Sequence, residues 1–330
     1  MQDTQVLNLS DLVGHSPMLE QLMRSVQAGR IVHALLFVGP AGTGRHTAAG
    51  LLARAMLCTG DQKPCGVCPA CKMFLSGTHP DVQTFVSQKA SVGVDLVREL
   101  IDYLALKPYA GGLHVAILER AEKMTPQAQN ALLKTLEAPP GDAVIFLIAE
   151  NTSALLPTVL SRCQRVRFNG LSAEDCAEAL RRRGLAPARA ELLAEISRGS
   201  VGRALEIDAD EEYLPLRERV FRSLEALQGP DSVARAVQAL GEGKDSAAQI
   251  LEIMELIALD LMRLQNGGEV SQRADAERLQ KVKLKGSALL DGVLEMRAHL
   301  SANMQWTSAL EYMYFALTAR ASGGKYQWQP

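Results

Sequence analysis

The stretch Gly39-Pro40-Ala41-Gly42-Thr43-Gly44-Arg45-His46-Thr47 decides how the first part of the chain folds. The apolar run 34–38 precedes it and predicts a buried strand, and apolar residues at helical spacing follow it from 47 to 57. Strand, glycine-rich turn and helix together form the setting of a phosphate-binding P-loop, in which backbone N–H groups at a helix N-terminus face an anion. A glycine turn unrelated to nucleotides is the alternative, and it accounts less well for the agreement of all three features.

Two positions of this loop depart from the working pattern G-x-x-x-x-G-K-S/T. Gly39 and Gly44 are in register and Gly42 lies between them, but Arg45 stands in the lysine position and His46 in the Ser/Thr position. A guanidinium is longer and wider than an ammonium group, and an imidazole nitrogen is a poorer Mg²⁺ ligand than a hydroxyl oxygen. We interpret the loop as a former ATP site that has lost its ligands, and we expect no bound ATP.

The end of a second predicted strand, 115–118, carries a further change. In a working ATPase of this type an Asp and then a Glu follow the strand; here they are Glu119 and Arg120, and the next acid, Glu122, lies two residues too far on to substitute. Taken alone, this is an ordinary strand exit with solvated charges. Combined with the altered P-loop, it predicts that the chain does not hydrolyse ATP.

Four closely spaced cysteines predict a metal site. They follow the pattern C-x6-C-x2-C-x2-C and are Cys58, Cys65, Cys68 and Cys71. Thiolates at such spacing suit tetrahedral Zn²⁺, and four protein ligands leave no open position, so the zinc would be structural. An iron–sulfur cluster and disulfides are the alternatives, but the ferredoxin run needs another cysteine three residues on. Cys163 and Cys176 are interpreted as small core residues.

Composition sets limits on the class of protein. The 330 residues are 47% hydrophobic and 22% charged with a net charge of −2, which allows two or three domains and excludes wholesale disorder. The short basic runs 181–183 and 281–285 are interpreted as solvated helix faces rather than DNA contacts. The N-terminus has no signal-peptide pattern and no apolar run approaches the roughly 20 residues of a membrane span, so we expect a cytoplasmic protein without membrane contact.

The order of predicted elements divides the chain into three. Strands alternate with helices as far as Phe168, which indicates a parallel sheet covered on both faces. Helical patterns alone follow, first as a short unit and then as amphipathic stripes. We therefore predict an α/β domain over 1–168 with a zinc-binding insertion at 58–71, a small helical domain over 169–208, and a helical C-terminal domain over 209–330.

Several motifs together resemble the clamp-loader branch of the AAA+ ATPases, over about residues 12–205. Besides the glycine loop, the resemblance rests on Gly77–Asp81, Leu106–Tyr109, Asn130–Glu137 and Ser161-Arg162-Cys163. It implies an AAA+ P-loop domain, a helical lid and an all-α collar that assembles a pentameric ring. The C-terminal helices resemble a collar only in pattern.

The resemblance also implies a function. The chain would be a non-hydrolysing subunit of a replicative clamp loader, with gamma/tau and delta subunits as partners and with the sliding clamp and primed DNA reached through the complex. Arg162 would act catalytically in trans, in a neighbouring ATP site, and Arg203 occupies the position that senses a γ-phosphate in active members. The alternatives are a self-sufficient ATPase, which Arg45, His46 and Arg120 argue against, and a zinc-dependent nucleic-acid-binding module, which the near-neutral charge argues against.

Overall fold

A computed structural model describes residues 16–30, 32–109, 112–241, 245–268 and 275–321. Contacts within the chain divide it after Ala204 into two compact units, which are described separately. The boundary falls inside a helix, Val201–Ala209, near the predicted start of the C-terminal domain. The finer division into three domains stays a prediction.

The first unit is built on a five-stranded sheet in which every pair of neighbours is parallel, as predicted. In chain order the strands are β1 Ala34–Val38, β2 Val82–Phe85, β3 His114–Leu118, β4 Ala143–Ala149 and β5 Gln164–Arg167. Their order in space is β2-β3-β4-β1-β5, so β1 lies between β4 and β5. The central strands β1, β3 and β4 are apolar, except for the buried His114 at the start of β3, because both of their faces are covered.

Helices cover the two faces of this sheet. They are α1 Ser16–Gln27, α2 Arg45–Leu57, α3 Pro69–Leu75, α4 Val94–Ala105, α5 Pro126–Glu137 and α6 Pro157–Leu160. Side chains alternate along each strand. On β4, Ile145 and Leu147 therefore belong to the core under α4 and α5, whereas Val144, Phe146 and Ile148 belong to the core under α1 and α2.

Local signals determine where two of these helices begin. The pair Thr125-Pro126 predicts a helix start from the sequence, with Thr125 as the cap and Pro126 in the first turn. The structure confirms it, because the Oγ1 atom of Thr125 accepts a hydrogen bond from the backbone N–H of Ala128 at 3.2 Å. α2 begins at Arg45, two residues before the predicted start, because Gly44 has φ +83° and ends the loop there. Arg45 and His46 are therefore the first two helical residues.

Three helices complete the helical segment that the sequence predicts after the sheet: α7 Ala173–Arg182, α8 Pro187–Ile196 and α9 Val201–Ala209. The Oγ atom of Ser172 caps α7 by accepting from the N–H of Asp175 at 3.0 Å. The two cysteines outside the cluster, Cys163 and Cys176, are buried core residues as predicted, and burial raises the pKa of both thiols, that of Cys163 to about 11.

In the described residues, the regular elements of the second unit are all helical. Its helices are α10 Tyr213–Ala226, α11 Val233–Leu240, α12 Ala247–Gln265, α13 Ala276–Lys281, α14 Gly286–Ser301 and α15 Trp306–Ala321. The amphipathic stripes that the sequence predicts here face the core on α12, where Ile257 is buried, and on α15, where Leu310 is buried. None of the helices in the described ranges has both the length and the apolar composition that a bilayer span requires.

Gly39 fixes the exit of β1, and its replacement tests the fold. A Cβ atom at Gly39 would lie 2.0 Å from the carbonyl oxygen of Phe168, which follows the neighbouring strand β5. We expect Gly39→Ala to lower the free energy of unfolding by about 1–3 kcal/mol, because backbone atoms must shift. Gly112→Ala is the matched control, since its Cβ meets no atom within 4 Å. Equal midpoints of urea unfolding for the two variants would contradict this account.

Candidate functional site

The P-loop forms part of a cavity of about 330 Å³ in the first unit. Gly42 and Gly44 have φ angles of +70° and +83°, which a side chain would strain. The cavity is lined by Ala41–Thr47, Glu119, Arg120, Glu122, Ile148, Glu150, Leu171, Ala179, Arg183, Val201 and Gly202. The fold thus brings the altered P-loop and the altered end of β3 together at one cavity.

Arg45 occupies the position of the P-loop lysine, but its side chain is bound within the protein. The residue is 9% exposed, and Nη1 of its guanidinium donates a hydrogen bond to the carbonyl of Ala149 at the end of β4. Burial lowers the pKa of Arg45, and the carboxylates of Glu150, Glu119 and Glu122 act in the opposite direction. The cation therefore compensates carboxylates of its own chain.

His46 and Glu122 are also engaged within the site. Nδ1 of His46 pairs with the carboxylate of Glu119, although the imidazole itself is half-exposed. Glu122 is buried, and its Oε2 accepts a hydrogen bond from the N–H of Glu150 at 3.1 Å. The sequence argument set Glu122 aside because of its spacing; a 3-10 turn over Ala121–Lys123 nevertheless brings it to the cavity wall.

Arg120, at the position of the water-activating acid, has a left-handed backbone with φ +55°. Its Nη1 and Nη2 atoms donate to the carbonyls of Lys89 and Ala90, each at 3.3 Å. The structure therefore shows a cation at this position, with its hydrogen bonds directed to a neighbouring loop.

Residues 200–203 contact the backbone of the P-loop, and the sequence did not predict these contacts. Oγ of Ser200 donates to the carbonyl of Ala41 at 3.0 Å, and the N–H of Gly202 donates to the carbonyl of Gly42 at the same distance. A Cβ atom on Gly42 would lie 2.2 Å from Oγ of Ser200. Arg203 follows directly and is half-buried, and its N–H donates to Oγ of Ser200 at 3.1 Å.

The four predicted cysteines come together at the start of α3. All four Sγ atoms lie within 4.8 Å of one another, and those of Cys58 and Cys68 are 3.9 Å apart. A tetrahedral Zn²⁺ with bonds of about 2.3 Å would set the sulfurs about 3.8 Å apart, so the spacing fits such an ion. The cluster can therefore bind a metal ion.

Backbone amides donate to the sulfur atoms of three of these cysteines. The N–H of Cys65 donates to Sγ of Cys58 at 3.3 Å, that of Cys68 to Sγ of Cys65 at 3.3 Å, and that of Cys71 to Sγ of Cys68 at 3.4 Å. Burial opposes ionisation of Cys68, but amide hydrogen bonds, including that from Cys71, lower its pKa to about 5. Such donors orient sulfur ligands around a metal.

Arg162 lies between α6 and β5, outside the cavity, with its side chain 33% exposed. Nε and Nη2 donate to Oε2 of Glu137 at 3.4 and 3.3 Å, and Nη1 donates to the carbonyl of Thr158 at 3.1 Å. Glu137 is the last residue of α5 and belongs to a motif that the sequence analysis singled out, but its contact with Arg162 was not predicted. The guanidinium is therefore held in one orientation at the surface.

Comparisons with known proteins agree with these features. A family model described as DNA polymerase III, delta subunit, matches residues 14–172. The DNA polymerase III subunit delta' of Bacillus subtilis is 29% identical over 312 residues, which cover 91% of this chain and 94% of that protein. The corresponding subunit of Pseudomonas aeruginosa is 42% identical over 153 residues, which cover 44% of this chain and 46% of that protein.

A solved structure supports the fold. A DNA polymerase III, gamma subunit-related protein from Thermotoga maritima superposes with a TM-score of 0.52 at 20% identity, over 92% of this chain and 99% of that one. At this identity the likeness concerns the fold alone. The family model and the match to a delta' subunit over nearly all of both chains agree with each other, and together they support the family of the DNA polymerase III delta' subunits for this chain.

Proposed function

We propose that this chain is a non-hydrolysing subunit of the bacterial replicative clamp loader, within the DNA polymerase III holoenzyme. It helps to load the sliding clamp onto primed DNA in the cytoplasm, with gamma/tau and delta subunits as its neighbours. The observation that carries the non-hydrolysing role is the contact of Arg45 with the carbonyl of Ala149, because it takes up the cation that a working P-loop offers to phosphate. The pairing of His46 with Glu119 supports it.

The proposed assembly follows the predicted domains. The lid over 169–208 carries the residues that bond to the P-loop, and the collar over 209–330 holds the ring together. The helical architecture of the second unit supports this role, although the apolar stripes of its helices are buried in the unit's own core.

For the cysteine cluster we propose one structural zinc ion held by Cys58, Cys65, Cys68 and Cys71. Four thiolates close the coordination sphere, so the ion would hold the insertion in shape and would not take part in chemistry. The cluster lies between α2 and α3, whose ends it would fix.

For Arg162 we propose the role of an arginine finger that enters the ATP site of an adjoining subunit. A guanidinium can bind a γ-phosphate with two parallel hydrogen bonds and stabilise the charge of the transition state. Partial exposure and a fixed orientation at the surface support this role. Glu137 acts here as the residue that holds the fork in position.

The first expectation is that the pure chain neither binds ATP·Mg²⁺ tightly nor hydrolyses it. The physical reason is that Arg45 and His46 are bound to Ala149 and Glu119, while Arg120 replaces the acid that activates water. Equilibrium dialysis with labelled ATP and a phosphate-release assay measure both properties, with an active gamma-type subunit as the positive control. Micromolar affinity together with turnover would refute the proposal.

Metal analysis tests the zinc site. We expect one zinc per chain and its loss in Cys68→Ser, whereas Cys176→Ala, a buried cysteine outside the cluster, keeps the metal. Structural zinc binds peptides with roughly 10–16 kcal/mol at neutral pH, and acid releases it by protonating the thiolates. Iron in the purified chain, or full zinc content in Cys68→Ser, would contradict the assignment.

The role of Arg162 is measured in a reconstituted complex. Arginine fingers supplied in trans increase the rate of ATP turnover at the neighbouring site by about 10³- to 10⁵-fold. We expect Arg162→Ala to lower total ATP turnover in part, because one site is affected, and clamp loading further, because loading needs coordinated sites. Arg162→Lys is not expected to rescue, since an ammonium cannot form the fork.

The matched control for this experiment is Arg24→Ala, an exposed arginine on α1. Both variants should assemble normally, which gel filtration of the complex checks. Wild-type turnover and loading with Arg162→Ala would mean that Arg162 is an ordinary surface arginine.

A further inference from the structure

The basic run Lys281–Lys285 differs from the solvated helix face that the sequence suggested. α13 ends at Lys281 and α14 begins at Gly286, so the residues between them are not helical. Val282 and Lys285 have extended backbones, with φ/ψ of −79°/109° and −74°/129°. The lysines of this run are solvated as the sequence interpretation expected, but its assignment to a helix face was wrong for 282–285.

Side chains of this segment alternate between core and solvent. Val282 and Leu284 are each 5% exposed, whereas Lys281, Lys283 and Lys285 are exposed. Lys281 is the last residue of α13 and Leu284 lies at a bend, so the alternation rests on burial and not on a regular strand. The three lysines thus form a row of positive charges, which we call the lysine row.

The segment is held firmly to the helix beneath it. The side-chain amide of Gln265, at the end of α12, donates to the carbonyl of Leu284 at 2.7 Å and accepts from the N–H of Gly286 at 3.0 Å. Gly286 itself lies against α12, where a Cβ atom would be 2.5 Å from the carbonyl oxygen of Ala258. The backbone of the lysine row is therefore fixed, and only the lysine side chains would lose conformational freedom on binding.

Five arginines of the same unit are paired with carboxylates, and the lysine row is not. The paired arginines are Arg217, Arg222, Arg263, Arg278 and Arg297. Within the described residues, Lys281, Lys283 and Lys285 form no ion pair. Acidic side chains are near in sequence, with Glu277 on α13 and Asp291 on α14 both exposed. The row therefore keeps three unpaired positive charges in solvent at one place.

We propose that the lysine row binds the sugar–phosphate backbone of a nucleic-acid strand, with each ammonium group neutralising a separate phosphate. This goes beyond the proposed function, in which the chain reaches DNA only through the complex. Three point charges without a guanidinium fork suit contacts that do not depend on base sequence. In the described part of the second unit, Leu294 is the only exposed large apolar side chain. An acidic protein partner would therefore find few apolar anchors there.

Binding of a labelled oligothymidylate to the full-length chain, followed by fluorescence anisotropy as salt is raised, tests the proposal. Each phosphate contact with a single strand contributes about 0.7 to the slope of log K against log salt concentration. The triple variant Lys281→Ala/Lys283→Ala/Lys285→Ala should therefore reduce the slope by about 2 and weaken binding by roughly ten- to a hundredfold at low salt. The triple lysine-to-arginine variant keeps the charges and should bind like the wild type.

The control removes the same number of charges elsewhere in the unit, as Arg222→Ala/Arg235→Ala/Arg297→Ala, and should leave the slope unchanged. Thermal unfolding should be the same for the wild type and the lysine variant, since the replaced side chains are exposed. The proposal is overturned if the wild type does not bind at low salt, or if the lysine-to-alanine variant and the arginine-to-alanine control lose affinity equally. Tighter binding of labelled polyglutamate than of oligothymidylate of equal charge, lost in the lysine-to-alanine variant, would instead assign the row to an acidic protein partner.

Discussion

The contact between the guanidinium of Arg45 and the carbonyl of Ala149 governs the chemistry of the P-loop. It connects the first turn of α2 to the end of β4, the two elements that frame the cavity. A buried cation is unfavourable unless it is paired and hydrogen-bonded, and here Glu150 and Glu122 supply the compensating charge. Removing Arg45 would leave these carboxylates without a compensating cation. The residue at the position of the P-loop lysine therefore stabilises the interior of the protein.

The contact of Ser200 and Gly202 with the P-loop has a related consequence. Two hydrogen bonds to the carbonyls of Ala41 and Gly42 connect the loop to Ser200, just before α9, and to Gly202 in its first turn. Each such bond contributes about 0.5–1.5 kcal/mol, and neither requires a nucleotide. They satisfy carbonyl groups of the loop, whereas a phosphate accepts hydrogen bonds from backbone N–H groups, so they order the loop without taking the place of an anion.

Sequence reasoning succeeded where one local pattern determines the outcome. Apolar runs gave the central strands, Thr125 and Pro126 gave a helix start, and cysteine spacing gave the cluster. It failed where distant residues decide: Glu137 meets Arg162 across 25 positions and Ser200 meets Ala41 across 159. It also failed at 282–285, where the composition favours a helix but the burial of Val282 and Leu284 requires an extended chain.

Arg45 and Arg162 show how environment assigns different roles to one residue type. Arg45 is buried against several carboxylates, and moving it would expose uncompensated charge. Arg162 pairs with Glu137 at the surface, where an ion pair is worth only about 0–1 kcal/mol. A phosphate that offers two charge-assisted hydrogen bonds outweighs such a pair. Leaving Glu137 would therefore cost Arg162 little, while the contact keeps its fork oriented, and the proposed role of a finger acting in trans requires both properties.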